Sequence, residues 1–194
     1  MTERRADHPI DPLFLERWSP RAFDQSDLPE ADMRSIFEAA RWAPSSYNYQ
    51  PWRFLYARRG GADWDRFLGL LVPGNQAWAK LASVLIFALS DREMDTGRGP
   101  KPAHSHSFDC GSAWMAMALQ ATRLGYQAHG MVGVDFDGVA RELGVPDSFR
   151  VEAGIAIGRQ APPEVLPESL RAREEKSGRR PVSESFFAGR FPSG

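Results

Sequence analysis

The sequence has little cysteine and no long apolar run, and each shortage excludes a class of protein. Cys110 is the only cysteine among 194 residues, so the chain forms no internal disulfide and carries no Cys-x-x-Cys pair. The longest apolar run, residues 84–89, is far shorter than the roughly 20 residues of a membrane-spanning helix. No basic start followed by a long apolar stretch occurs near residue 1, and we therefore expect a cytoplasmic location without membrane association.

Signatures of the common nucleotide-binding and hydrolase classes are absent as well. The sequence contains no Gly-x-Gly-x-x-Gly turn, no phosphate loop ending in Gly-Lys-Ser/Thr and no Gly-x-Ser-x-Gly nucleophile elbow. The formal net charge is -1 with acidic and basic residues interspersed, which argues against nucleic acid as a partner. We expect the partners to be small molecules or another protein.

Metal-ligand residue types occur close together in one place. His104, His106 and Cys110 could each bind a metal ion, but the sequence places no fourth ligand near them. We predict no metal site, and we interpret Cys110 as a buried, inert thiol.

The length of the chain suits one compact unit. A chain of 194 residues can bury one substantial core, whereas two independent domains would each be small. We predict a single domain over residues 1–194, in which a proline-rich and charge-rich stretch, residues 160–194, forms an extended C-terminal arm. The arm ends in an apolar, strand-like run from Val182 to Phe187, which should pair with another strand because an exposed apolar edge is unfavourable.

Helical and strand-like hydrophobic periods occur along the same chain, which predicts an α+β protein. Strands are predicted at residues 52–57, 84–89, 128–134 and 151–157. Helices are predicted from Leu28-Pro29 to Pro44, at residues 64–71, after a turn at 73–75, at 111–124 with Asp109 as cap, and at 135–143. Residues 90–108 lack periodicity and are predicted to form a long loop.

The segment from Arg41 to Trp52 lies where a helical pattern ends and a strand pattern begins. Pro44 should stop the helix near Trp42, because proline lacks a backbone donor and disfavours helix at the preceding residue. The uncharged polar side chains that follow are those of Ser45, Ser46, Asn48 and Gln50. Their hydroxyl and amide groups suit the edge of a neutral polar heterocycle, although the same residues are also ordinary turn formers.

A second segment, Arg17-Trp18-Ser19-Pro20-Arg21-Ala22-Phe23, alternates cations and a hydroxyl with bulky side chains. Together with Pro44-Ser45-Ser46-x-Asn48-x-Gln-Pro-Trp, it resembles the FMN-dependent nitroreductase family. The stretch from Gly125 to Gly133 is similar to that family's glycine-containing strand beside the flavin, and Gly178 to Val182 is similar to its basic C-terminal segment. The matches follow the family's order along nearly the whole chain.

This resemblance implies a fold and an assembly. The fold would be α+β, with a central mixed β-sheet flanked by helices. The protein would be a homodimer with FMN at the subunit interface, and each C-terminal arm would be exchanged onto the partner's sheet.

The resemblance also implies roles for individual residues. Arg17 and Ser19 would hold the FMN phosphate and ribityl region, and Arg21 would lie near N1 and O2 of the ring. Trp18 would supply backbone contacts and apolar cover. The pocket residues from the other subunit would be Pro44, Ser45, Ser46 and Asn48. The residues along the ring, with a main-chain donor near N5, would be Gly130, Met131, Val132 and Gly133. Arg179 and Arg180 would close on the phosphate, and Asn75 is a weaker candidate for a pyrimidine contact.

The implied reaction is ping-pong electron transfer in one shared pocket. NAD(P)H would give hydride to flavin N5 and leave, and a nitroaromatic or quinone-type acceptor would then take its place. An enzyme without an obvious nucleophile or base often takes its chemistry from a cofactor, which agrees with this implication. Two alternatives stay open: a flavin-dependent reductase or dehydrogenase of a specific metabolite, and a flavin-binding protein without turnover.

Overall fold

A computed structural model describes residues 4–95 and 97–192 of the chain. The helices are α1 (Leu13–Glu16), α2 (Glu30–Arg41), α3 (Trp64–Gly69), α4 (Pro73–Ala79), α5 (His106–Arg123), α6 (Phe136–Glu142) and α7 (Glu168–Arg171). The strands are β1 (Trp52–Arg58), β2 (Val84–Asp91), β3 (Glu93–Asp95), β4 (Pro100–Pro102), β5 (Gln127–Met131) and β6 (Phe149–Gly158).

The central sheet has four strands in the order β1-β2-β6-β5, and β3 and β4 form a separate hairpin. Strand β2 is buried on both faces from Val84 to Ser90, as its continuous apolar run predicts. The predicted α+β class, with a central sheet flanked by helices, is confirmed. The three ladders described within the central sheet are antiparallel, so any mixed character would have to come from a further strand.

Helices cover both faces of this sheet. On one face α2 and α5 pack over alternate residues of β2 and β6, including Ile86 and Ile155. Alanines on α5 let this helix lie close to the strands, since they add little side-chain volume. On the other face α3 and α4 place Phe67 and Trp78 in one buried cluster with Phe87, and the rings of Phe67 and Phe87 are 5.1 Å apart. The candidate site lies beside α5 and the end of β5.

Several predicted boundaries agree with the structure. Helix α2 follows Pro29 directly and ends at Arg41, two residues before Ala43-Pro44. Helix α5 ends at Arg123, and Gly125 adopts a positive φ of 81° just beyond it, a conformation that glycine tolerates best. The ends of these two helices were predictable because proline and glycine restrict or permit backbone conformations at their own positions and at adjacent residues.

Other predictions were wrong in detail. The turn predicted at residues 73–75 is the first turn of α4, because proline at a helix start loses no intrahelical hydrogen bond. Residues 90–108 are not a structureless loop, since they contain the end of β2, the β3–β4 hairpin and the start of α5. Helix α5 begins at His106, so Asp109 lies within its first turn and does not cap it.

The C-terminal residues return along the N-terminal part of the same chain. Gln160 forms an isolated bridge with Phe23, and Leu166 is buried. The strand predicted from Val182 to Phe187 is absent from the described structure, where Val182–Glu184 forms a 3-10 turn after Pro181. A strand needs a neighbouring edge, and no described strand pairs with these residues. Among the described residues, no helix combines the length and the apolar character needed to cross a bilayer.

Candidate functional site

A cavity of about 540 Å³ lies between the segment after α1, helix α5, the end of β5 and the C-terminal arm. Its volume falls within the roughly 300–1,000 Å³ typical of small-molecule sites. The residues that line it are Arg17, Ser19, Trp114, Met115, Ala118, Gly130, Met131, Val132, Ala153 and Arg179. The structure thus brings together six of the residues named from the sequence.

One end of the cavity is strongly cationic. Burial lowers the pKa of Arg17, and the nearby positive charge of Arg179 lowers it further. The pKa of Arg4 is lowered for the same reasons, first by burial and then by Arg179 and Arg17. Three guanidinium groups that repel one another form an electrostatic site for an anion, and their planar donors match phosphate or carboxylate oxygens.

The other end of the cavity is lined by apolar side chains and by Gly130. The indole of Trp114 lies over Gly130, where a Cβ atom would be only 3.1 Å from Trp114 Cζ2. Met131 is buried at the end of β5, and Val132, just beyond the strand, is 74% exposed. An aromatic ring of a ligand would therefore find an apolar surface beside main chain that has left the sheet ladder.

Gly133 has a structural role next to this surface. Its carbonyl accepts hydrogen bonds from Val72 N and Asn75 Nδ2, both at 3.1 Å. A Cβ atom at Gly133 would be 2.4 Å from Asn75 Nδ2 and 2.8 Å from Val72 Cγ2, so a larger residue would displace these side chains. Asn75 therefore fixes the backbone beyond β5. Neither residue lines the cavity itself.

Trp18 and Arg21 also lie outside the cavity lining. Trp18 is buried, and its indole Nε1 donates to Gln160 Oε1 at 3.1 Å. The guanidinium of Arg21 donates to the carbonyl of Arg173 at 3.3 Å and lies 4.0 Å from Glu174. Within one chain, therefore, Arg21 contacts the C-terminal arm, and its predicted position near a flavin ring stays a prediction.

Residues 44–48 lie near the start of α5, and none of them lines the cavity. The N–H group of Ser46 donates to Asp109 at 3.1 Å, and Ser45 Oγ accepts from Gln50 N at 3.0 Å. Tyr47 and Asn48 have positive φ angles of 52° and 54°. Positive φ is strained for a bulky residue such as Tyr47, whereas asparagine adopts it more readily, and strained residues cluster at functional sites. The predicted contribution of this segment to a second subunit's pocket stays a prediction.

Arg180 does not line this cavity, whereas Arg179 does. The side chain of Arg180 is 86% exposed, and its Nε lies 4.0 Å from Glu184 Oε2. It lines a neighbouring groove together with Arg5, Val182 and Arg179 itself. Arg179 is therefore shared between the cavity and this groove, and the predicted closure of Arg180 on the phosphate stays a prediction.

The sequence alone did not identify several cavity residues: Arg4 near the cationic end and Trp114, Met115, Ala118 and Ala153 in the lining. Trp114 offers one usable signal, since it is a large aromatic residue on an alanine-rich helix. Arg4 offers none, because an arginine in a polar N-terminal stretch is usually a surface residue.

His129 lies on β5 and contacts Pro20 and Trp78. Burial lowers its pKa to about 4, so the imidazole is neutral at pH 7. Its Nδ1 lies 2.9 Å from the carbonyl of Pro20, and its ring lies 4.5 Å from that of Trp78. In the neutral ring Nδ1 donates to Pro20, which ties the segment after Arg17 to β5. Among residues 4–95 and 97–192, no cluster of three or more His, Cys, Asp or Glu side chains could hold a metal ion.

Comparisons with known proteins match both the sequence and this fold. The model of the nitroreductase family matches residues 15–71 and 64–159. A solved structure of an oxidoreductase containing FMN is 48% identical, with 100% of both chains covered and a TM-score of 0.96. A 15.4 kDa protein of Mycolicibacterium smegmatis is 32% identical over 148 residues, which are 72% of this chain and 97% of that protein. An NADH dehydrogenase of Thermus thermophilus is 28% identical over 176 residues, covering 76% of this chain and 84% of that protein.

The matched residues include the sheet, helix α5 and all of the cavity lining except Arg179. The sequence comparison and the fold thus agree with the resemblance inferred from the motifs: this chain belongs to the nitroreductase family.

Proposed function

We propose that this protein is an FMN-dependent oxidoreductase that takes electrons from NAD(P)H and passes them to nitroaromatic or quinone-type acceptors. The observation that carries the proposal is the asymmetry of the cavity. A cluster of guanidinium groups forms one end, and Trp114 and the backbone after Gly130 form an apolar, aromatic surface at the other.

The residues present fit FMN, which carries a phosphate at one end and a flat ring system at the other. Arg17 and Arg179 would hold the phosphate with planar, charge-assisted hydrogen bonds, which arginine forms better than lysine. Ser19 would contact the ribityl chain. Trp114 and Met131 would cover the ring and keep water away from it.

The chemistry must come from a bound group, since the described lining of the cavity contains no carboxylate, imidazole or thiol. When bound, FMN supplies reversible two-electron chemistry, and a donor and an acceptor can use it in turn from the same pocket. The chain's own residues would position the cofactor, exclude water and keep positive charge near its phosphate. Neutral His129 would hold this geometry without exchanging protons near pH 7.

We further propose that the complete site forms in a homodimer. Residues Pro44, Ser45, Ser46 and Asn48 would then approach the cavity of the other subunit. Two observations support this proposal: the segment is strained, and Tyr47 within it is 86% exposed although it is aromatic.

The visible absorption spectrum of the purified protein tests the function. We expect a flavin spectrum, FMN in the supernatant after heat denaturation, and bleaching when NADH or NADPH is added anaerobically. Colour should return when a quinone or a nitroaromatic compound is added. A protein that stays colourless after incubation with FMN would contradict the proposal, and a flavin that no nicotinamide bleaches would favour a binding protein without turnover.

A further inference from the structure

The carboxylate of Glu174 anchors the C-terminal arm to the segment after Arg17. Its Oε1 accepts hydrogen bonds from the backbone N–H groups of Arg21 and Ala22, both at 2.8 Å, and its Oε2 lies 3.0 Å from Arg21 N. The side chain of Glu174 is only 1% exposed, although the residues around it in the sequence are charged and exposed. A buried carboxylate with two backbone donors is a strong, directional contact.

Arg4 makes a second connection between the same two segments. Its Nη1 donates to the carbonyls of Leu15 and Arg17 at 2.9 and 2.7 Å, and its Nε donates to the carbonyl of Ser177 at 3.0 Å. Ser177 lies two residues before Arg179. The two contacts therefore fix both the backbone that carries Arg17 and the backbone that carries Arg179.

Docking of the arm brings three positive charges together, and their repulsion disfavours the docked arrangement. It places Arg179 close enough to Arg17 and Arg4 to lower the pKa of both guanidinium groups. An anion between the guanidinium groups would turn this repulsion into attraction. Docking of the arm and binding of an anion should therefore favour each other, and by linkage the coupling is equal in both directions.

We propose that Glu174 and Arg4 are positioning residues that dock residues 174–180 against residues 15–22, and that this docking completes the phosphate end of the cavity and is coupled to phosphate binding. The inference rests on the proposed FMN site. Neither residue would touch the reacting part of the cofactor, since both act through the backbone that carries Arg17 and Arg179.

Limited proteolysis of the full chain without cofactor measures the docking directly. Trypsin can cut after Lys176 and Arg179, which lie in the docked segment. We expect FMN to slow these cuts by about tenfold, in the usual range of coupling between sites. Inorganic phosphate at high concentration should slow them partly. Riboflavin, which has the ring but lacks the phosphate, should leave their rate unchanged.

Variants of Glu174 test its positioning role. Glu174→Ala should raise the rate of arm cleavage and weaken FMN binding about tenfold, as expected for the loss of a charged hydrogen-bonding group. Glu174→Gln keeps one acceptor oxygen and should recover part of the affinity. Glu175→Ala removes the adjacent, exposed carboxylate and is the matched control, so it should leave both quantities unchanged. Thermal unfolding of each variant shows whether the fold is intact.

The outcomes separate this inference from the proposed function. Wild-type protein that binds FMN, together with Glu174→Ala protein that binds FMN equally well, would overturn the positioning role and leave the function intact. Equal protection by riboflavin and FMN would overturn the coupling to phosphate. Protection by phosphate in a protein that binds no FMN would support the docking inference and refute the flavin function.

Discussion

Neighbouring residues of like charge can have different roles, and Arg179 and Arg180 illustrate this. Arg179 lines both the cavity and a neighbouring groove, whereas Arg180 is highly exposed and lines that groove without lining the cavity. We predict that Arg179→Ala weakens FMN binding by about 1–3 kcal/mol, because it removes a charged hydrogen-bond donor. Arg180→Ala should change the affinity little, since exposed ion pairs contribute little. Titration of FMN fluorescence measures both, and equal losses would contradict the assignment.

His129 should make the stability of the protein depend on pH. Its folded pKa of about 4 lies below the unfolded value of about 6.5, so the unfolded chain binds a proton first as the pH falls. The stability that the neutral imidazole provides is fully present above pH 6.5. As the pH falls from 6.5 to 4, the free energy of unfolding decreases by roughly 3 kcal/mol in total. Urea unfolding at pH 7 and pH 4.5 measures the loss.

A pair of histidine variants isolates this effect. His129→Asn keeps a donor near the carbonyl of Pro20 but does not titrate, so the free energy of unfolding should fall less between the two pH values than in the wild type. His8→Asn makes the same substitution at an exposed histidine and serves as the matched control. A wild-type slope in His129→Asn would show that other groups cause the loss.

At the level of elements, the first turn of α5 holds the strained segment before β1. The buried carboxylate of Asp109 accepts hydrogen bonds from Ser46 N at 3.1 Å and Ser105 Oγ at 2.8 Å. We predict that Asp109→Ala lowers the free energy of unfolding by about 1–3 kcal/mol, because it leaves these donors without a partner. Release of the segment should also increase cleavage by chymotrypsin after Tyr47 and Tyr49.

Asp135 provides a control of the same residue type. It caps α6 by accepting a hydrogen bond from Gly138 N at 2.9 Å. Asp135→Ala should cost about 1 kcal/mol of stability, as other losses of a helix cap do, without exposing the segment near Tyr47. Similar cleavage in both variants would mean that general destabilisation, and not loss of the Asp109 contact, frees the segment.

The sequence predicted that β6 is a strand, but it did not predict the bulge in its pairing with β2. Its alternation predicts a strand, but the register with β2 shifts between Ala88 and Leu89, so that Glu152 has no partner residue. The extra residue places the Glu152 carboxylate within 2.5 Å of Ser90 Oγ and 2.6 Å of Ser107 Oγ. Such bulges re-aim a side chain, and they depend on the partner strand rather than on the local sequence.

At the scale of the whole molecule, the C-terminal arm is the part that the single chain leaves most exposed. Phe186 and Phe191 are 83% and 85% exposed, which is unusual for large apolar side chains. We predict that deleting residues 178–194 abolishes both dimer formation and FMN retention, since it removes Arg179 and the apolar tail together. Light scattering and absorbance at the flavin band measure the two losses.

A shorter truncation separates the two parts of the arm. Deleting residues 181–194 keeps Arg179 and the contacts of Glu174, so a monomer should still bind FMN more tightly than the longer truncation does. A flavin-loaded dimer after deletion of residues 178–194 would refute the exchanged arm.

The sequence by itself determined the order of the major elements, the family and most of the cavity. Hydrophobic periods, Pro29, Pro44 and Gly125 act on their nearest neighbours, so the limits of helices α2 and α5 follow largely from local chemistry. The motifs around Arg17 and Gly130 identified residues that the fold brings to one cavity.

Tertiary structure decided which of many similar polar residues meet. Glu174 and Glu175 are the same residue type side by side in a charged stretch, yet only Glu174 is buried against the backbone of Arg21. Arg4 and Trp114 likewise lie at the site because tertiary contacts bring distant parts of the chain together. Such contacts form between segments that are distant in sequence and that the packed sheet and helices bring together. A local sequence pattern does not specify which distant segment will lie beside it.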